Sequence, residues 1–154
     1  MPRITRFRAA IALATLAPLA AGAASPPPDL RLPPGFRAEV LVDDVPNARS
    51  MVLGDGGTLF IGTRKTGSVY AVRNAMSGQT ATRVLATGLK MPNGVAFRDG
   101  ALYVAEPQRI LRYPGIEARL DDPGEPQVVV ADLPYKNALH AWKYIAFGPD
   151  GLLY

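Results

Sequence analysis

Apolar residues along this chain come in short runs closed by Gly, Pro, Asn or Asp, and one arrangement of them recurs. Met51-Val52-Leu53 is followed by Gly54-Asp55-Gly56-Gly57 and then by Thr58-Leu59-Phe60-Ile61-Gly62. Val95-Ala96-Phe97 leads through Arg98-Asp99-Gly100 into Ala101-Leu102-Tyr103-Val104-Ala105. Tyr144-Ile145-Ala146-Phe147 leads through Gly148-Pro149-Asp150-Gly151 into Leu152-Leu153-Tyr154. Each copy predicts a strand, a tight turn and a second strand, because the turn needs φ > 0 and Gly accepts it without a Cβ clash. Between copies lie further strand-like runs. Ser68–Arg73 and Thr82–Ala86 follow the first hairpin, and Arg109–Tyr113 and Gln127–Ala131 follow the second. Phe36–Val42 alternates well enough to predict another strand ahead of the first copy.

The turn glycines Gly57, Gly100 and Gly151 are spaced 43 and 51 residues apart. A period of this length with four strands per repeat predicts an all-β fold of β-propeller blades. Residues 48 to 154 supply two blades and the start of a third, whereas a ring closes with roughly four to eight. The chain stops inside a predicted strand, so the sequence reads as the first two to three blades of a longer protein, with Phe36–Val42 belonging to the ring-closing blade.

The N-terminus has a different character. Arg3, Arg6 and Arg8 precede an apolar stretch, Ala9 to Ala20, and then Ala21-Gly22-Ala23-Ala24. Basic, apolar and small-x-small in that order predict a signal peptide over 1–23, hence a periplasmic or secreted protein. The apolar run is too short for a stable membrane span, which needs about 20 residues. Residues 24–34 hold five prolines and predict an extended linker, leaving 35–154 as the propeller part. Loss of the three arginines takes the net charge from +4 to +1, which leaves no basic patch for nucleic acid. The chain has no Cys and one His, which excludes disulfide frameworks, Cys/His zinc sites and thiol catalysis.

Neither a G-x-S-x-G elbow nor a Walker A run nor H-E-x-x-H occurs. The candidate chemistry sits just outside the innermost strands, where propeller loops open on a central channel. His140 precedes the third copy; neutral imidazole is a natural base near pH 7, and loop packing is the plain alternative. Asn93, in Met91-Pro92-Asn93-Gly94, is either a channel ligand through its carbonyl or a turn residue. Glu106 follows the exit of a predicted inner strand and is either pore-lining or solvated. Arg64 and Lys65 hold the matching place in the first blade and could meet an anionic ligand.

Leu32-Pro33-Pro34-Gly35-Phe36, Leu89–Phe97, Leu102–Glu106 and His140–Tyr154 resemble the glucose/sorbosone dehydrogenase family over roughly residues 30 to 154. Trp142-Lys143-Tyr144-Ile145 is most like the sorbosone dehydrogenase branch. The most specific feature is a His eight residues before Gly-Pro-Asp, here His140 and Gly148. The resemblance implies a six-bladed propeller that oxidises a sugar or sugar aldehyde with pyrroloquinoline quinone (PQQ) and calcium. It implies His140 as general base, Arg64 as a cofactor contact, Asn93, Glu106 and Trp142 along the substrate channel, and an external electron acceptor. Most quinone and calcium ligands of that family come from later blades. The soluble glucose dehydrogenase branch carries an acid directly before this His, where Leu139 stands here. Pro92–Phe97 also resembles the metal-ligand segment of gluconolactonase-type lactone hydrolases, with Asn93 as the ligand. A non-catalytic binding propeller needs the repeat alone.

Overall fold

The structure, a computed structural model, describes residues 29–135 and 140–154. The signal peptide expected over 1–23 and the first half of the linker lie outside the described residues. The rest of the linker is exposed and irregular, with one turn in which Phe36 N donates to Pro33 O at 3.2 Å.

Among the described residues eight strands form two four-stranded antiparallel sheets, each in simple sequence order. The first holds β1 Ala48–Leu53, β2 Leu59–Thr63, β3 Val69–Arg73 and β4 Ala81–Ala86. The second holds β5 Gly94–Arg98, β6 Ala101–Ala105, β7 Ile110–Tyr113 and β8 Gln127–Val130. A single 3-10 turn, Ile116–Ala118, follows β7. The strands predicted between residues 48 and 131 therefore fall where the apolar runs placed them.

The sequence period of two explains how the sheets stack. Phe60, Val69 and Ala71 project from one face of β2 and β3 and, with Leu85, meet Val95, Leu102, Val104, Leu111 and Tyr113 of the second sheet. Phe60 and Phe97 stack across this core at 5.7 Å between centroids and 12°. The alternate residues Ile61, Tyr70 and Val72 face the other way with Ala75 and are covered by Val42 and Val45. The middle strands are thus buried on both faces, which is why they read as unbroken apolar runs. Full burial of a side chain such as Phe60 contributes about 1.5–3 kcal/mol.

Two expectations are corrected. Phe36–Val42 is not a strand. Neither edge strand of the first sheet, β1 or β4, takes this segment as a partner, so it has no ladder, and Phe36 is left 71% exposed. The third copy is not a pair of full strands but one bridge, Phe147 with Leu153. Ala146 and Tyr154 exchange backbone hydrogen bonds at 3.0 and 2.9 Å beside it.

The three turns follow their sequences. Asp99 and Gly100 have φ of 50° and 69°, the two positive values that a two-residue hairpin between Arg98 and Ala101 requires. The first and third turns are one residue longer and share a pattern. Gly54 N donates to Thr58 O at 2.8 Å and Gly57 N to Gly54 O at 3.1 Å; the counterparts are Gly148 to Leu152 at 2.9 Å and Gly151 to Gly148 at 3.0 Å. Gly57 and Gly151 both stand at φ 82°.

These two turns hold their spare amides differently. In the third, Asp150 serves its own loop: Leu152 N donates to Oδ1 at 3.0 Å and the Tyr154 hydroxyl to Oδ2 at 2.7 Å. Gly56 stands at the place of Asp150 in the first turn, and Glu117 reaches over from the second sheet instead. Gly56 N donates to its Oε2 at 2.8 Å and Thr58 N to its Oε1 at 3.2 Å. A Cβ on Gly54 would lie 2.6 Å from that carboxylate, so the glycine makes room for it. Glu117 therefore ties one sheet to the other. Glu117→Ala should cost about 1–2 kcal/mol in urea unfolding, since it orphans the amide of buried Thr58 and removes two charge-assisted bonds. Gly56→Asp added to that variant should recover part of the loss, whereas in the native background it should not help.

Tyr113 is buried in the core between the sheets. Burial, and then the nearby Glu106 and Glu125 carboxylates, push its phenol above the ordinary tyrosine value. The folded chain therefore holds this proton more tightly than the unfolded chain. The stabilising difference is complete below about pH 10 and is lost as pH rises through the raised value. Urea midpoints of the wild type should fall faster above pH 10 than those of Tyr113→Phe. Parallel curves would remove the assignment.

Candidate functional site

The candidate residues come from the loops at one end of the sheets, where β1 and β5 begin and β2 and β6 finish. Their local structure is set first by Met91-Pro92-Asn93. Met91 has φ 44° and Asn93 N donates to Met91 O at 2.7 Å, so the chain folds tightly about the fixed proline. This turn presents two carbonyls to the first sheet. Thr63 N donates to Pro92 O at 3.0 Å, and Ser50 Oγ donates a short bond to Asn93 O. Gly62 lies so close that a Cβ there would stand 2.5 Å from Asn93 O and 2.6 Å from Pro92 O.

Asn93 is fully buried and both ends of its amide are used. Oδ1 accepts from Arg49 Nε at 3.3 Å, and Nδ2 donates to Lys143 O at 3.0 Å. Arg49 Nη2 also donates to the Tyr144 hydroxyl at 3.2 Å. Aligned on their turns, Arg49, Asn93 and Lys143 are the same position of the three repeats. Asn93 thus ties together the entries to β1, β5 and the first segment of the third copy.

The candidates divide into two groups. Arg64, Trp142 and His140 are brought together. The Arg64 guanidinium lies 4.0 Å from the centroid of the Trp142 ring, and the His140 ring is 5.1 Å from Trp142, tilted by 47°. Asn47 sets the Arg64 loop, its Oδ1 accepting from Arg64 N at 3.2 Å and Lys65 N at 2.6 Å. His140 is exposed at φ 59°, a left-handed setting that histidine adopts more readily than most residues. Lys65 is exposed.

Glu106 is placed otherwise. It is buried, its carboxylate accepting from Lys90 N and, through a short ion pair, from Arg109 Nε. Arg109 O in turn accepts from Glu106 N at 2.9 Å, so the carboxylate locks the loop between β6 and β7. Both its oxygens are occupied by protein donors.

Charge separates along the sheets. Arg49, Arg64, Lys65, Lys90 and Lys143 lie in or beside the candidate loops, and none has a carboxylate within ion-pair distance among the described residues. Two rest on aromatic rings instead, Arg64 on Trp142 and Lys90 on Tyr135 at 4.8 Å. Toward the other end, cations are paired: Asp121 takes Arg73 at 2.8 Å and Arg83 at 3.4 Å, and Arg98 takes Asp99 at 3.3 Å. Hydrogen bonding from Arg73 and Arg83 holds the Asp121 carboxyl below the usual range. Among the described residues no three His, Asp or Glu side chains gather as a metal site would need, and no helix is long and apolar enough to cross a membrane.

Sequence reading did not single out Arg49, Lys143 or Tyr144. The signal was present in the repeat, since Arg49 and Lys143 occupy the position of Asn93 in the neighbouring copies. No protein-family model matches the chain and no curated protein matches it.

Proposed function

We propose that the two sheets are blades of an exported six-bladed propeller that oxidises a sugar or sugar aldehyde with PQQ, His140 serving as general base. The observation that carries this reading is the meeting of His140, Trp142 and Arg64 at one loop end. A base, a flat aromatic surface and an uncompensated guanidinium are the groups that a planar, carboxylated quinone and a hydroxylated substrate need side by side. Arg64 would hold a quinone carboxylate, because a guanidinium packed on a ring keeps its edge donors for bidentate bonds. Trp142 would bound the channel.

PQQ, when bound, supplies the two-electron acceptor for the substrate hydride. His140, neutral, takes the proton of the substrate hydroxyl as the C–H bond breaks and the carbonyl forms. The substrate loses one hydride and one proton, and the electrons pass on to an external acceptor. Calcium belongs to the same reading, with ligands from elsewhere in the ring.

The arrangement of Asn93 favours this over a lactone hydrolase. Its Oδ1 already faces a guanidinium, which suits a structural amide rather than a ligand to a second cation. The test is substrate-dependent dye reduction by the whole propeller protein. Activity with aldoses or sugar aldehydes should require added PQQ and calcium. Turnover of a lactone without quinone would overturn the reading.

A further inference from the structure

Leu111 and Tyr113 lie two apart on β7 and share one face, and Val128 of β8 stands directly across from Leu111. That face meets the first sheet, where Leu85 of β4 and the partly buried Leu89 pack into the same core. The packing does not close. A cavity of about 470 Å³ remains, lined on its apolar side by Leu85, Leu89, Leu111 and Val128 and on its polar side by Arg109, Tyr113 and Glu125. This is within the size range of small-molecule sites. None of His140, Trp142 and Arg64 lines it.

The polar groups distinguish this space from a packing defect. Tyr113 is 2% exposed, yet its hydroxyl forms no hydrogen bond among the described residues. None of their sealed side-chain oxygens or nitrogens lacks a partner, so this oxygen is open, and the space it opens on is the cavity that Tyr113 lines. A buried phenol in this setting has a hydrogen-bond position to give to a ligand. Glu125 forms no ion pair among the described residues. The charge of Arg109 is already answered by buried Glu106, through Nε. Of Glu106, Arg109 and Glu125, the carboxylates are therefore in excess. The Tyr113 phenol registers the same sign: burial raises it most, and each of the two carboxylates then raises it more than Arg109 lowers it.

We propose that this cavity binds a small primary ammonium with an apolar body. The ammonium donates to the Glu125 carboxylate and to the Tyr113 oxygen. The body lies against Leu85, Leu89, Leu111 and Val128, and the water it displaces from them supplies most of the affinity. An anion of the same shape would meet the excess of carboxylates, and a neutral alcohol would leave Glu125 unanswered. The site is built by the two sheets and the segment before β8, and it does not rest on the dehydrogenase reading.

The test is titration of the full chain, followed by amide NMR shifts, with four probes: 2-phenylethylamine, 2-phenylethanol, 3-phenylpropionate and methylammonium. The phenylethylamine should saturate with a Kd below about 1 mM. The alcohol and the carboxylate, similar in size, should bind at least about fivefold more weakly. Methylammonium, which lacks the apolar body, should bind at least about tenfold more weakly. The shifts should centre on Leu85, Leu111, Tyr113 and Val128. Tyr113→Phe keeps the ring and its packing, and Glu125→Gln keeps the shape of an exposed side chain. Each should weaken the amine about three- to tenfold. Asp132→Asn, at an exposed carboxylate that does not line the cavity, should bind as the wild type does. Equal binding of the alcohol or the carboxylate overturns the proposal. So does unchanged affinity in Tyr113→Phe or in Glu125→Gln, an equal loss in Asp132→Asn, or a set of shifts centred elsewhere.

Discussion

Asn93→Ala should lower folding stability by about 2–3 kcal/mol and the melting temperature by about 10 °C, although the residue touches no apolar core cluster. The cause is what its amide holds. Removing it orphans the Lys143 carbonyl and strips Arg49 of an acceptor, at a fully buried position. An unpaired buried acceptor costs about 1–3 kcal/mol, and truncation adds a small cavity. The loss should be selective. Hydrogen exchange should quicken first at residues 140–147, since the Asn93 amide is the buried one of their ties to the first two repeats, while β2 and β3 stay protected. Asn93→Asp separates the two halves of the effect. It keeps an acceptor for Arg49 but turns a carboxylate oxygen toward the Lys143 carbonyl, where a donor is needed. It should therefore be destabilised at neutral pH and recover in acid, where a protonated carboxyl can donate. A melting temperature for Asn93→Ala within about 2 °C of the wild type would show that the tie carries little free energy.

That position also shows where the sequence was readable and where it was not. The eight strands were legible because each apolar run is short and ends in turn chemistry. Leu59–Thr63 and Val69–Arg73 admit no alternative as helix, being too short and bounded by Gly57 and by Gly67 and Asn74. Phe36–Val42 had the same local pattern and failed as a strand, because alternation specifies a face and not a partner. A ladder is a property of two segments. The third copy, Tyr144–Tyr154, shows the same limit from the other side: its turn forms as predicted, but the flanking residues reach only one bridge.

The candidate site was legible in position more than in role. The residues just outside the hairpin strands were found from the repeat, and His140, Trp142 and Arg64 do converge. What their side chains bond to was not written locally. Glu106 reads as a loop carboxylate in sequence, and only the fold brings Lys90 and Arg109 onto it. Asn93 reads as a turn residue or a ligand, and its partners Arg49 and Lys143 lie 44 and 50 residues away. Glu117 carried no signal at all, because a glutamate after a strand has no meaning until the bare amides of Gly56 and Thr58 arrive from the other sheet.

His140→Asn should lower kcat of the quinone-loaded protein by roughly 10²–10⁴-fold, the usual worth of a positioned base. Asparagine keeps a polar side chain of similar reach but cannot take the hydroxyl proton. The exposed setting of His140 at φ 59° makes the substitution mild for folding, since asparagine is among the residues that best tolerate left-handed backbone. Melting temperature and PQQ affinity should accordingly stay near wild-type values, which separates lost chemistry from lost structure. Trp142→Phe gives the contrasting signature. It removes the indole that both Arg64 and His140 touch but leaves the imidazole, so it should raise KM and weaken PQQ binding while kcat changes little. A His140→Asn enzyme that retained full PQQ-dependent turnover would return His140 to a loop-packing residue on the Trp142 ring.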